Sequence, residues 1–168
     1  IEKLLAEGQP VTVQVLKDPL GAKGARLSTQ LSIAGRLLVY LPQDPHIGIS
    51  QRIEDEAGRA ALRGKLKELI PADEQGGFIV RTMAENACDE EFATDIAYLR
   101  KIWADIRDKA RVSAPPTVLY QELSLGQRVL RDFVNPETVR ISVDSRENFA
   151  RMSAFADEYT PAVRPLLE

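Results

Sequence analysis

The sequence predicts an α/β fold of α+β character, with short strands gathered in the first eighty residues and amphipathic helices after them. Three stretches carry that expectation. Valines alternate with polar residues in "VTVQVLK" (11–17), as in a half-exposed strand. An apolar run follows paired glycines in "GGFIVRT" (76–82). Phe92, Ile96, Leu99, Trp103 and Ile106 recur at steps of four and three, one face of a long helix over about 89–110. The chain has 168 residues, 44% of them hydrophobic and 28% charged, enough apolar side chains for a packed core in one large domain or two small ones.

Taken in order, "VTVQVLK" gives the first strand, and "DPLGAKG" (18–24) turns the chain with one proline and two glycines. "ARLSTQLSIAG" (25–35) is near-alternating through Leu27, Thr29, Leu31 and Ile33 and pairs with the first strand as a hairpin. "RLLVYLP" (36–42) reads as a more buried strand stopped by proline, and "QDPHIGIS" (43–50) as a loop. Residues 54–69 place Ala60, Leu62, Leu66 and Leu69 at helical spacing, with acids early and lysines late, as the helix dipole prefers. "GGFIVRT" is the next strand; the long helix behind it has Asp89, Glu90 and Glu91 in its first turn and Lys109 near its end. "SAPPT" (113–117) marks the clearest internal boundary, since consecutive prolines end helices. After it come a short strand "VLYQ", a helix over 124–134, a strand "VRISVD" (139–144) and a helix over 146–158.

Charge and cysteine content narrow the function classes. A net charge of −3 and a pI near 5.4 argue against a surface that grips polyanions everywhere, while leaving room for a local basic patch. One cysteine and one histidine allow neither an internal disulfide nor a Cys/His zinc site, which fits a reducing compartment. No apolar run approaches the roughly 18 residues of a membrane span. The chain opens on "IEKLLAEGQP", inside a periodic pattern and without methionine, and reads as a piece of something longer.

Two places suit anion chemistry. Lys17, Lys23 and Arg26 surround the glycine-containing hairpin turn, where cations and backbone N–H groups can meet a phosphate chain; a solvated basic loop is the plainer alternative. Arg81 and Thr82 end a strand. An arginine fork matches two phosphate oxygens at once and a hydroxyl can complete the ring of donors, whereas the plainer alternative pairs Arg81 with the acids that open the next helix. A terminal phosphate carries about −1.5 to −2 charges, more than an internal diester, so such a receptor would separate chain ends from interiors. Asp144 ends an apolar run but has no partner carboxylate for a two-metal site, and Asp144-Ser145 suits a helix cap. Cys88 at a helix start is read as structural and His46 as a turn residue. No P-loop, nucleophile elbow or HExxH motif is present.

At "KDPLGAKGARLSTQLSIAGRLLVYLP", "GISQRIE" and "GGFIVRT", and on through "DIAYLRKIW", "LRDF" and "VDS", the whole chain resembles the ribonuclease E/ribonuclease G family of bacterial endoribonucleases, and "SQRIE" resembles the ribonuclease G branch. The resemblance implies the tail of an OB-fold RNA-binding domain over 1–29, a 5′-sensor over 30–126 and part of an RNase H-like region over 127–168. It implies that Arg81 and Thr82 hold the 5′-monophosphate of single-stranded RNA, that Gly35 and Val39 form the floor of the same pocket, and that Lys23 contacts the RNA backbone. It further implies a cytoplasmic, homo-oligomeric parent that hydrolyses RNA with Mg²⁺, while the metal-binding aspartates and zinc-linking cysteines of the family have no counterpart in these residues. The segment itself is therefore expected to have no catalytic residue and no cofactor, and to cleave nothing. Ribonuclease E has two arginines where this chain has Gln51 and Arg52, and "MAENAC" (83–88) replaces a glycine-containing loop; both changes bear on selectivity for the terminal phosphate. The rival expectations are a scaffold or oligomerisation segment that contacts no RNA, and a nuclease acting through Asp144.

Overall fold

A computed structural model of the chain describes residues 5–168. It divides into two compact units, the first ending at Leu119 and the second Tyr120–Glu168. The division falls two residues beyond the "SAPPT" stretch. Helices and a mixed sheet make this an α/β protein, as the periodicities predict.

In the first unit, β1 (Gln14–Lys17) and β2 (Arg26–Ser28) form the expected antiparallel hairpin, with Gln14 opposite Ser28. The near-alternating run 25–35 does not continue as one strand. Ser28 turns the chain by accepting a hydrogen bond from the Gln30 N–H at 3.1 Å, and β3 (Ile33–Ala34) begins afresh on a second sheet. The Gln14 amide pins the two pieces together, accepting from Ser32 N–H at 2.9 Å and donating to Ser32 C=O at 3.0 Å.

The second sheet has the order β3–β4–β6–β5, where β4 is Leu38–Leu41, β5 Ile47–Ile49 and β6 Gly77–Val80. β4 runs antiparallel to β3 and β6, and β5 lies parallel to β6 with Gly48 opposite Ile79. β5 corrects the expectation of a loop over 43–50: three residues centred on glycine carry too little periodicity to be read as a strand, and its pairing partner lies thirty residues ahead. The paired glycines before β6 now have a reason. A Cβ at Gly76 would enter the Tyr40 ring, and one at Gly77 would overlap the Asp44 and His46 backbone, which lies against β6. His46 itself is exposed, and its N–H donates to the Asp44 carboxylate at 3.0 Å, the turn role expected for it.

Two helices cover one face of this sheet. α1 (Glu56–Leu69) is capped by Asp55, whose carboxylate accepts from the N–H groups of Ala57 and Gly58, and it buries Leu62 and Leu66. α2 (Asp89–Val112) is the long helix of the apolar stripe. Its Phe92, Ile96, Leu99, Ile102 and Ile106 join Leu38, Tyr40, Phe78 and Val80 in the core, each large side chain contributing about 1.5–3 kcal/mol on burial. Strand alternation leaves Ala34, Val39, Ile79 and Gly48 in a row across the other, half-buried face.

The second unit contains α3 (Leu125–Asp132), capped by Ser124 and Gln127, and α4 (Arg146–Tyr159), capped by Ser145, whose hydroxyl accepts from Asn148 N–H at 3.3 Å. Leu130, Met152, Phe155 and Ala156 form its core. The expected strands "VLYQ" and "VRISVD" do not form. The first finds no ladder partner among the described residues, and the second meets 166–168 in a single bridge at Ile141–Leu167, flanked by three backbone hydrogen bonds, too short to count as a strand. No helix among the described residues is long and apolar enough to cross a membrane.

Candidate functional site

The site begins with a three-residue turn. β3 and β4 are joined by Gly35, Arg36 and Leu37, closed by Gly35 N–H donating to Leu38 C=O at 2.8 Å. So tight a reversal leaves the following amides pointing inward, and Asp95 of α2 collects them. Asp95 is 6% exposed, and its carboxylate accepts from the N–H groups of Arg36 (2.9 Å), Leu37 (2.9 Å) and Leu38 (2.8 Å). Three amide donors compensate a buried carboxylate that would otherwise be costly. A Cβ on Gly35 would run into this carboxylate, so glycine is required by close approach rather than by an unusual φ.

Arg81 reaches the same turn from the other side. It lies one step past β6, extended at φ −87° and ψ 162°, and its N–H continues the ladder to Leu37 C=O at 2.8 Å. Its side chain is half-buried, and Nη1 donates to the carbonyls of Gly35 and, at 3.2 Å, Arg36. The turn is thus gripped by Asp95 through its amides and by Arg81 through its carbonyls. Nε and Nη2 of Arg81 make no hydrogen bond among the described residues and neither is a buried orphan, so three N–H donors of the fork face solvent.

The plainer alternative for Arg81, an ion pair with the acids that open α2, is not what forms. Asp89 pairs with Lys65 at 2.8 Å and Glu91 with Arg36 at 3.4 Å, while Glu90 takes the Cys88 thiol. That hydrogen bond pushes the exposed Cys88 thiol up and holds Glu90 down, so Cys88 is no activated nucleophile. No carboxylate of the described residues lies within 4 Å of Arg81.

Of the other predicted residues, Thr82 is exposed at the start of the short 3₁₀ turn Thr82–Ala84, its hydroxyl without a protein partner among the described residues. Val39 is half-buried in β4 opposite Ile79, two residues before Arg81. Gly35, Val39, Arg81 and Thr82 therefore share one sheet and its end. Gln51 and Arg52 border the same end, because Ser50 N–H donates to Val80 C=O at 2.8 Å. Lys23 stands apart on the two-stranded sheet, exposed in a turn where Leu20 and Lys23 exchange two backbone hydrogen bonds of 3.0 Å around Gly21 at φ +57°. Asp144 is exposed beside Glu168 in the second unit, and among the described residues no group of three His, Cys, Asp or Glu side chains is arranged to hold a metal.

Asp95, which orders the turn that holds Arg81, is the residue of the candidate site absent from the sequence expectations. Its signal was there: three residues after Phe92 and four before Leu99, it occupies the apolar stripe, where an acid demands buried partners.

Comparison with known proteins matches residues 32–168 to the family described as the Ribonuclease E/G family. This chain belongs to that family. The ribonuclease G of Salmonella typhimurium is 45% identical over all 168 residues, and that of Haemophilus influenzae 40% identical over 161, or 96% of the chain. The ribonuclease E of a Nostoc species is 34% identical over 165 residues, 98% of the chain. The chain spans about a third of the length of the ribonuclease G relatives (34% and 32%) and 24% of the ribonuclease E.

Proposed function

We propose that this ribonuclease E/G family segment is the part of an endoribonuclease that binds single-stranded RNA and recognises its 5′-monophosphate. The observation that carries the reading is the state of Arg81: fixed by two carbonyls, unclaimed by any carboxylate among the described residues, and left with three outward donors. A guanidinium held this way pays little ordering entropy when a dianionic phosphate arrives, and each charge-assisted hydrogen bond is worth about 1.5–3 kcal/mol. Thr82 adds a hydroxyl, Gly35 and Val39 supply the close-packed floor, and Lys23 holds the strand from a separate hairpin that completes an OB-fold in the longer protein. The RNase H-like part follows in the second unit. Hydrolysis, with its magnesium, belongs on this reading to other parts of the parent.

The test is a titration at low salt of a 5′-monophosphorylated decanucleotide against its 5′-hydroxyl twin. The phosphorylated strand should bind at least tenfold more tightly, and Arg81→Ala should erase the difference. Equal affinities for the wild-type chain refute end recognition, and no saturable binding of either strand returns the segment to a scaffold.

A further inference from the structure

The opposite end of β6 carries a second cleft. It has a volume of about 360 Å³ and lies between α2 and the segment that leads into β6, lined by Tyr40, Pro42, Glu74, Gln75, Trp103 and Arg107 among others. Arg100, Trp103 and Arg107 are spaced three and four residues apart, so they form one strip along α2.

The acids of this cleft are already satisfied. Glu74, its side chain 6% exposed, accepts from the Tyr40 hydroxyl at 2.7 Å and from Gly76 N–H at 2.8 Å, and it pairs with Arg100 Nε at 2.8 Å. Arg100 also pairs with Asp73 at 2.7 Å. Trp103 is half-buried, yet among the described residues its ring stacks on no aromatic neighbour and its N–H meets no acceptor. Arg107, one turn further along, is exposed and has no ion pair among the described residues.

We propose that this cleft is a second nucleotide subsite for single-stranded RNA, with a base stacked on the Trp103 indole and its phosphate on Arg107. It rests on the RNA-binding reading above but adds a site remote from Arg81. An indole face is tolerant of base identity, and base–aromatic stacking joined to one guanidinium is the combination that single-strand binders use. Glu74 does not repel the phosphate, because its charge is matched by Arg100 and its oxygens are occupied by donors. Strand β6, four residues long, spans about 13 Å, so sites at its two ends fall within reach of one short RNA.

Trp103 is the only tryptophan in the chain, so its fluorescence reports on this cleft alone. A 5′-hydroxyl decanucleotide, which cannot load the terminal-phosphate receptor, should quench that emission saturably at low salt. Arg107→Ala should weaken the titration about tenfold and make its salt dependence shallower, and the same factor should be lost from the 5′-monophosphorylated strand. Trp103→Phe should retain most of the affinity measured by RNA anisotropy, while Trp103→Ala should lose at least fivefold. RNA that binds by anisotropy without changing the tryptophan emission overturns the subsite and leaves the end-recognition reading standing. Affinity unmoved by Arg107→Ala does the same, whereas absence of any RNA binding overturns both.

Discussion

On the proposed reading Asp95 meets no RNA phosphate itself, yet the proposed receptor would depend on it. It holds three successive amides of the turn whose carbonyls hold Arg81. Asp95→Asn replaces one acceptor oxygen with an NH₂ group that faces amide donors instead of accepting from them. At about 1.5–3 kcal/mol for each hydrogen bond to a charged group, the change should cost about 2–4 kcal/mol in urea unfolding. Gly35→Ala drives a methyl into the same carboxylate and should cost about 1–3 kcal/mol. Both variants should also narrow the preference for a 5′-monophosphate, about tenfold for Asp95→Asn, while 5′-hydroxyl RNA changes less. A variant that is destabilised but keeps the full preference shows that Asp95 serves only the fold. The sequence places Arg81 and Thr82 side by side at the end of a strand but leaves an ion pair and an anion receptor both open. It does not decide between them, because the pairing of Lys65 with Asp89 and of Arg36 with Glu91 depends on side chains that come together only after folding.

At the scale of elements, legibility followed the number of repeats of a pattern. α2 shows five apolar positions over fifteen residues, and that pattern predicts it almost to its ends. β5 offers only two isoleucines around a glycine, a pattern that predicts a loop; its existence depends on β6 across the sheet. "VRISVD" has the composition of a strand but too short a ladder, so composition misled where pairing decides. The segment between α1 and β6 also shows what periodicity cannot: Glu74 joins β4, through Tyr40, to α2, through Arg100. Burial pushes the Glu74 carboxyl up, but the Tyr40 hydroxyl, the Gly76 amide and Arg100 outweigh it and hold the carboxyl below its ordinary 4.5. Burial, then Glu74 itself, push Tyr40 well above its ordinary 10, so the tyrosine stays a donor. The folded chain thus binds the Glu74 proton more weakly than the unfolded chain does. This stabilisation is in place above about pH 4.5 and is lost as pH falls through the depressed value. Glu74→Gln should lower stability by about 1–3 kcal/mol at pH 7, with the gap closing as pH falls below the ordinary carboxylate range. A gap that stays constant from pH 7 to pH 3 refutes the clasp.

Over the whole molecule, a net charge of −3 means that RNA is not drawn in by the average surface. Affinity has to come from a few cations freed from internal pairing, and Arg81, Arg107 and Lys23 have no carboxylate partner within 4 Å among the described residues. Among the described residues nine other arginines engage acids, Arg36, Arg59, Arg100, Arg128 and Arg131 among them, and on the proposed reading the strand meets only the three cations named. Counting contacts therefore predicts the salt response. Each phosphate neutralised on a single strand contributes about −0.7 to the slope of log affinity against log salt, so three contacts give a slope near −2. Affinity for a 5′-monophosphorylated decanucleotide should fall about twentyfold between 50 and 200 mM salt. Lys23→Ala should make the slope shallower by about 0.7 without altering the ratio between phosphorylated and hydroxyl ends, since it meets the strand and not its terminus. Arg81→Ala should change both the slope and the ratio. A slope near zero, measured with the wild-type chain, means that the strand is held by apolar contact and not by these cations, and the electrostatic account of the binding face fails with it.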